Sequence, residues 1–508
     1  MDAREALSVQ AFGRAKNDQQ RSEVGSPYLP DFTGPACDRR ESLANPAKSN
    51  GAAKDTGGNG TPREPEGRVH PEQALATSWP LAITLLMVCG FVGLGLRYLT
   101  REHATVDAFQ FLIPWYTFAR DHGIGALAEG FTNYTPFYSY LLLIATRFDW
   151  LGQPLSLVKM ISAIFEFGCA IVVAQMVWRA TNVPLRASVA FCAVWLAPTV
   201  IFNGALWGQA DSIWTFFTLL SAALFMRDRN GILPFAMASA VKAQAVFLGP
   251  FVLGMILRRK IRVAWLAAVP GVYVVLAIPV LIAGRSLVSV FTVYIDQANT
   301  FHQLFISAAN IWVFAAGTPY VIGVAIGVVL ATASGLALSI FITQSKRGGP
   351  EFILLVACVS LMLMPYLLPK MHERYFYAFE LASIALACLN LRYLPFAVIA
   401  QVDGVLSYLA FDRGIVMGLP PAALCNTFIA SYLVLDLWRS ERDFRFPRLA
   451  WLGFAASTAG LLCYLVFAGS GWNMSPAYLL ATGLATAMTL RLFKESRSTS
   501  AEGSDRSA

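Results

Sequence analysis

From residue 79 to residue 495 the chain repeats long apolar runs separated by short polar breaks, whereas residues 1–78 are polar and rich in Gly, Pro, Asn and charge. A helix needs about 20 apolar residues to cross the hydrocarbon of a bilayer. Runs of that kind predict spans at 80–99, 156–178, 187–203, 210–226, 263–283, 318–343, 351–369, 376–391, 393–410, 415–437, 449–469 and 475–493. Two stretches break the pattern. The apolar centre of 135–150, TPFYSYLLLIATRFDW, is too short to span, which predicts a helix lying at the membrane surface. Residues 231–257 are flanked by Arg227 and Arg229 on one side and by Arg258, Arg259, Lys260 and Arg262 on the other, with Lys242 and Gln244 in the middle. Basic flanks belong on the cytoplasmic side, so this stretch should enter the membrane and return as two short helices.

The pattern therefore predicts an all-α fold, a polytopic membrane helix bundle of about fourteen transmembrane helices, with a long first extracytoplasmic loop that carries interfacial helices. The basic clusters Arg179/Arg186, Arg227/Arg229, Arg258 to Arg262, Lys346/Arg347, Arg392 and Arg439 to Arg448 then all fall inside, with both termini cytoplasmic. The exterior receives loop 100–155, loop 284–317 and short loops at 204–209, 370–375, 411–414 and 470–474.

Composition agrees with the membrane reading, since 56% of the residues are hydrophobic and only 14% charged, against about 25% charged in soluble domains. The polar tail has too little apolar surface to bury a core and should be disordered. A secretory signal would place an apolar stretch within roughly the first thirty residues, and the first one here begins at Pro80. The tail is therefore expected to stay in the cytoplasm. A formal net charge of +8 would raise nucleic acid as a partner, but the basic residues sit in short clusters between apolar runs, so none is expected. Eight cysteines lie singly, seven of them in apolar segments and Cys37 in the tail, and read as small membrane residues.

Chemistry should come from the exterior junctions. Asp107 stands just past the first span, ahead of an aromatic helix containing Phe109, Trp115 and Tyr116. It is placed either to act as a general base on a bound hydroxyl or to cap that helix. NGALWGQADSIWTF at 203–216 sets Asn203, Gln209 and Asp211 where they can hydrogen-bond a polyhydroxylated ligand, between Trp207 and Trp214. Lys242, at the apex of the helical pair, would be costly unpaired, and Asp211 is a candidate partner. PKMHERYFY at 369–377 crowds Lys370, His372, Glu373 and Arg374 onto one junction, and an anionic phosphate would compensate the cations. His302, near Asn310 and Trp312, and Lys159, at the start of the second span, complete the set.

In order along residues 80–390, Asp107, NYTPFY at 133–138, LWGQAD at 206–211, VKAQAVFLGP at 241–250, SAANIWVF at 307–314 and MHERY at 371–375 resemble the GT-C superfamily of integral membrane glycosyltransferases, in particular bacterial proteins similar to the mannosyltransferases of GPI-anchor and N-glycan assembly. The resemblance divides the chain into a disordered tail over 1–78, a GT-C-like catalytic module over 79–390, variable transmembrane helices over 391–495 and a second tail over 496–508. It implies a polyprenyl-phosphate-linked sugar donor, a glycan or lipid-linked hydroxyl acceptor, membrane lipids around the bundle and a catalytic base in the first exterior loop, which maps onto Asp107. Some members bind a divalent metal through acidic pairs. The loop around Asp107 lacks such a pair, so no cofactor is expected.

An inverting transfer from a phosphate carrier needs a base for the acceptor and cations for the leaving group. Arg374, Lys159 and His372 are the expected phosphate ligands, while Asp211 and Gln209 would bind sugar hydroxyls; Lys242 and His302 are further donor-binding candidates. The rival readings are a transporter or flippase of lipid-linked sugars, which should show internal repeats with paired broken helices, and a polysaccharide polymerase with a long Arg-rich loop in its second half.

Overall fold

The fold comes from a computed structural model that describes residues 71–439. The N-terminal segment 1–70, the expected spans at 449–469 and 475–493 and the C-terminal tail lie outside the described residues. Helices follow one another from end to end: α1 (Pro71–Thr100), α2 (Ile113–His122), α3 (Pro136–Thr146), α4 (Pro154–Thr181), α5 (Pro184–Trp195), α6 (Asp211–Met226), α7 (Ile232–Val241), α8 (Gly249–Arg258), α9 (Ala268–Ile282), α10 (Tyr320–Gln344), α11 (Pro350–Leu367), α12 (Tyr377–Leu389), α13 (Leu394–Arg413) and α14 (Leu419–Arg439).

Local chemistry sets the breaks. Pro136, Pro154, Pro184 and Pro350 each open a helix, where the missing N–H has no intrahelical partner to lose. α4 ends at Asn182 and α13 at Gly414, both left-handed. Two stretches wind more widely than an α-helix, Ala108–Leu112 and Ile201–Leu206. Such π turns shift the side-chain register and recur at functional sites. Here they immediately follow Asp107 and immediately precede Trp207.

Eight helical stretches are long and apolar enough to cross a membrane, and the chain is an α-helical membrane bundle. Phe91, Leu99, Val275 and Ile282 are among the large apolar side chains exposed on it, as lipid-facing positions require. Five further apolar helices are shorter, among them α3, α6 and α12. Two of the fourteen expected spans lie outside the described residues; the other twelve fall on the eight long helices and on four of the short ones, the fifth short helix being α3. Residues 231–257 form the expected pair of short helices, α7 and α8, and 135–150 holds only the eleven-residue α3.

Two features depart from the sequence reading. α1 begins at Pro71, earlier than the apolar boundary at 79. The fold also includes two short strands, β1 (Phe305–Ile306) and β2 (Met371–His372), paired in parallel. Backbone groups in an irregular loop must find partners, and this pairing supplies them by stitching the loop before α10 to the loop before α12.

Chain direction sorts the loops. α4, α6, α8, α10 and α12 run toward Arg179, Arg227, Arg258, Lys346 and Arg392 respectively, and the ends of α6, α8 and α10 touch: Arg259 pairs with Asp228 at 2.8 Å, and Arg258 donates to the Arg347 carbonyl. The opposite ends of the same helices carry the candidate site.

Candidate functional site

Asp107 does not cap the helix behind it; its side chain makes no capping hydrogen bond. Oδ2 instead accepts from the Trp207 indole (3.1 Å) and from the Gln209 amide (2.9 Å). Oδ1 has no hydrogen-bond partner among the described residues, and the side chain is half-buried. Both donors come from the LWGQAD segment, whose path turns on Gly208. That residue has φ +76°, and a β-carbon there would stand 3.1 Å from Leu112 and 3.2 Å from the Lys159 stem. Only glycine suits both the left-handed backbone and the close approach. Ser162 on α4 fixes the turn by donating to the Gln209 carbonyl (2.7 Å).

Gln209 connects this carboxylate to a second cluster. Its Oε1 accepts from the Tyr134 hydroxyl (3.4 Å), and the Tyr134 ring lies 5.0 Å from the Lys242 ammonium. Lys242 pairs with Asp211 at 2.7 Å, as the cost of an unpaired lysine at the helical apex required. Asp211 has no exposed surface. It also accepts from Asn203 (3.0 Å) and Trp214 (3.2 Å) and lies 3.3 Å from Arg374. Arg374 in turn pairs with Glu373. Burial by itself would raise the Glu373 carboxyl, yet the Arg374 guanidinium and His372 hold it below the usual range.

The set Asp211, Glu373, Lys242 and Arg374 therefore carries two negative and two positive charges, each with a partner inside the protein. Within 370–374, Arg374 thus has carboxylate partners in Glu373 and Asp211, whereas Lys370 donates to the Ala298 carbonyl. The arrangement recasts Asp211, which grips two cations rather than facing a ligand. The Arg374 side chain keeps 15% of its surface exposed.

The remaining candidates divide. His372 joins the cluster, with Nδ1 3.5 Å from Glu373 and its ring edge-on to Phe301. Lys159 is buried and spends two of its three donors on the carbonyls of Thr100 (2.8 Å) and His103 (2.7 Å), so it ties the end of α1 to α4. His302 is exposed, packs on Tyr320 at 5.6 Å and touches none of the charged set. No group of three or more His, Cys, Asp or Glu side chains able to hold a metal ion occurs among the described residues.

Sequence reasoning missed Tyr134 as the bridge, Tyr408 as the partner of Asn203 (2.8 Å) and the buried pair of Arg97 with Glu166 (2.7 Å). Glu166 carried a usable signal, since a carboxylate inside an apolar run is a functional or structural hypothesis by default. Tyr134 and Tyr408 carried none, because aromatic residues are ordinary at helix ends in membranes. No family model matches the chain, and no curated protein matches it.

Proposed function

We propose that the protein is an inverting glycosyltransferase that moves a hexose, mannose-like in class, from a polyprenyl-phosphate carrier to a hydroxyl acceptor on the extracytoplasmic face of the bacterial inner membrane. One observation carries the reading: Asp107 is held through a single oxygen by Trp207 and Gln209 while its other oxygen stays open at a half-exposed position. A carboxylate fixed in this way is oriented for taking a proton from an acceptor hydroxyl as that hydroxyl attacks the sugar. The carrier phosphate departs as an anion and needs cations rather than an acid. Arg374 suits that role, since its planar fork is anchored by Asp211 and Glu373 and its exposed part remains free for a phosphate oxygen. Lys242 and His372 support it; Asp211 positions Lys242 and Arg374, and Glu373 lies beside His372. The side assignment rests on the basic helix ends, which lie away from this cluster.

Membranes with and without the protein, supplied with a labelled polyprenyl-phosphate hexose, test the proposal. Wild-type protein should transfer label to a new product, and Asp107→Asn should lower the rate by about 10² to 10⁴-fold. Asn keeps the size of Asp and much of its hydrogen bonding, so near-normal transfer by correctly inserted Asp107→Asn would remove the base from the mechanism. Movement of intact labelled donor across the bilayer without transfer would favour the flippase reading instead.

A further inference from the structure

A second pair of carboxyl groups lies in the bundle, separate from the Asp107 site. Glu380 on α12 is 1% exposed and Asp403 on α13 is 4% exposed. Both Glu380 oxygens and Oδ2 of Asp403 have no hydrogen-bond donor among the described residues. The two side chains line one gap together with Phe376, Phe379, Ser407 and Asn426, and the gap is too tight for a water molecule. Glu380 lies against the α13 backbone: a β-carbon on Gly404, the residue after Asp403, would stand 2.6 Å from Glu380 Oε1. The neighbouring Thr199 hydroxyl lies 2.9 Å from the Gln401 side-chain oxygen and is the one hydroxyl within reach of Glu380 among the described residues.

The charged groups on the surrounding elements are occupied. Arg97 pairs with Glu166 on α4, Lys242 and Arg374 with Asp211 on α6, and Arg392 with Glu351 on α11 and Asp436 on α14. Arg413 pairs with Asp412, and Arg186 of α5 is exposed at the far end. Cys425, Asn426 and Tyr408 are the other polar groups nearby; the Asn426 amide donates to the Ala309 carbonyl (2.9 Å), and the Tyr408 hydroxyl accepts from Asn203. Two ionised carboxylates this deeply buried, with no cation paired to them among the described residues, would each carry a heavy desolvation cost. A proton removes one charge and supplies the missing donor at once.

We propose that Glu380 and Asp403 form a proton-holding site, in which a proton kept on one of the two carboxyls removes the repulsion between them across the gap between α12 and α13. The site has a route to the Asp107–Asp211 region. The adjoining face of α13 presents Gln401, which accepts from Thr199, and Tyr408, which accepts from the Asn203 amide that also serves Asp211. Loss of the proton leaves like charges facing each other and loosens α13 where it meets that segment.

The full chain, purified and reconstituted in lipid nanodiscs, is treated with dicyclohexylcarbodiimide, an apolar reagent that adds to protonated carboxyl groups, and the adduct is located by mass spectrometry. An adduct on Glu380 or Asp403 at neutral pH is expected, unaffected by sodium or magnesium chloride. Above the midpoint it should fall about tenfold per pH unit, following the protonated fraction. Infrared spectra give a second readout that needs no reagent access. The carbonyl stretch of a protonated carboxylic acid should be present in wild type at neutral pH and lost or shifted in Glu380→Gln and Asp403→Asn. Protection of the carboxyls by either salt overturns the proposal in favour of a metal-cation site, and unchanged infrared spectra in both variants overturn it outright.

Discussion

Charge removed from one side of a balanced buried set is felt by every partner left behind. Asp211→Asn leaves Lys242 and Arg374 with one carboxylate between them, and breaking a buried ion pair in this way costs about 3 to 5 kcal/mol. The variant should lose thermal stability in detergent by that order, and Asp211→Asn combined with Lys242→Met should lose less than the single change. Arg374→Lys keeps the charge but not the planar fork, so donor use should recover only partly relative to Arg374→Ala; equal donor affinity in wild type and Arg374→Ala would free this residue of the role. Glu373 adds a pH signature. Its folded carboxyl sits below the unfolded value, so its stabilisation is present above the ordinary carboxylate range and fades as pH falls through the folded value. Acid loosening of the 370–376 loop, followed by hydrogen exchange, should therefore be weaker in Glu373→Gln; identical profiles would remove Glu373 as its source. The pairing of Lys242 with Asp211 was legible in the sequence, because the cost of a lone lysine in a span demands a partner. The partner of Arg374 was not, since Glu373 beside it looked like one more member of a crowded junction.

Elements were legible wherever length and charge decided them. Arginines at both ends of 231–257 forced a short hairpin, and α7 and α8 are that hairpin. The β1–β2 pairing was not legible, because two residues on each side carry no periodicity. Nor were the π turns, since a single extra residue per turn leaves no mark on an apolar run. Two glycines make the elements testable. Gly231, at the start of the hairpin, faces the Ser221 carbonyl and the Phe225 ring so closely that a β-carbon forces one of them to move. Gly231→Ala should cost about 1 to 3 kcal/mol, the usual range for overpacking, measured as a lower unfolding midpoint. Gly208→Ala meets both a left-handed backbone and two neighbours, and should lower transfer as well as stability by displacing Trp207 and Gln209 from Asp107. A variant that keeps full activity would show that the turn does not orient the carboxylate.

Across the whole molecule, the separation of basic helix ends from the candidate cluster predicts opposite labelling at the two ends. In a cysteine-free background, Gln153→Cys and Gln344→Cys, both exposed positions, should differ: an impermeant maleimide added to intact cells labels the first and spares the second. Labelling of both, or of Gln344→Cys alone, would invert or break the topology. α1 stands apart in this arrangement. Only 11% of its spanning window is buried, and it is fastened through Arg97, which lies over the Trp195 ring at 3.4 Å and pairs with Glu166. The partner carboxylate is 69 residues further along the chain. During synthesis, then, the first helix enters the bilayer with its arginine unmatched and finds its latch only once α4 has followed, so the helix that delivers Asp107 is secured by a later-born segment. Assembly order is thereby written into a single ion pair.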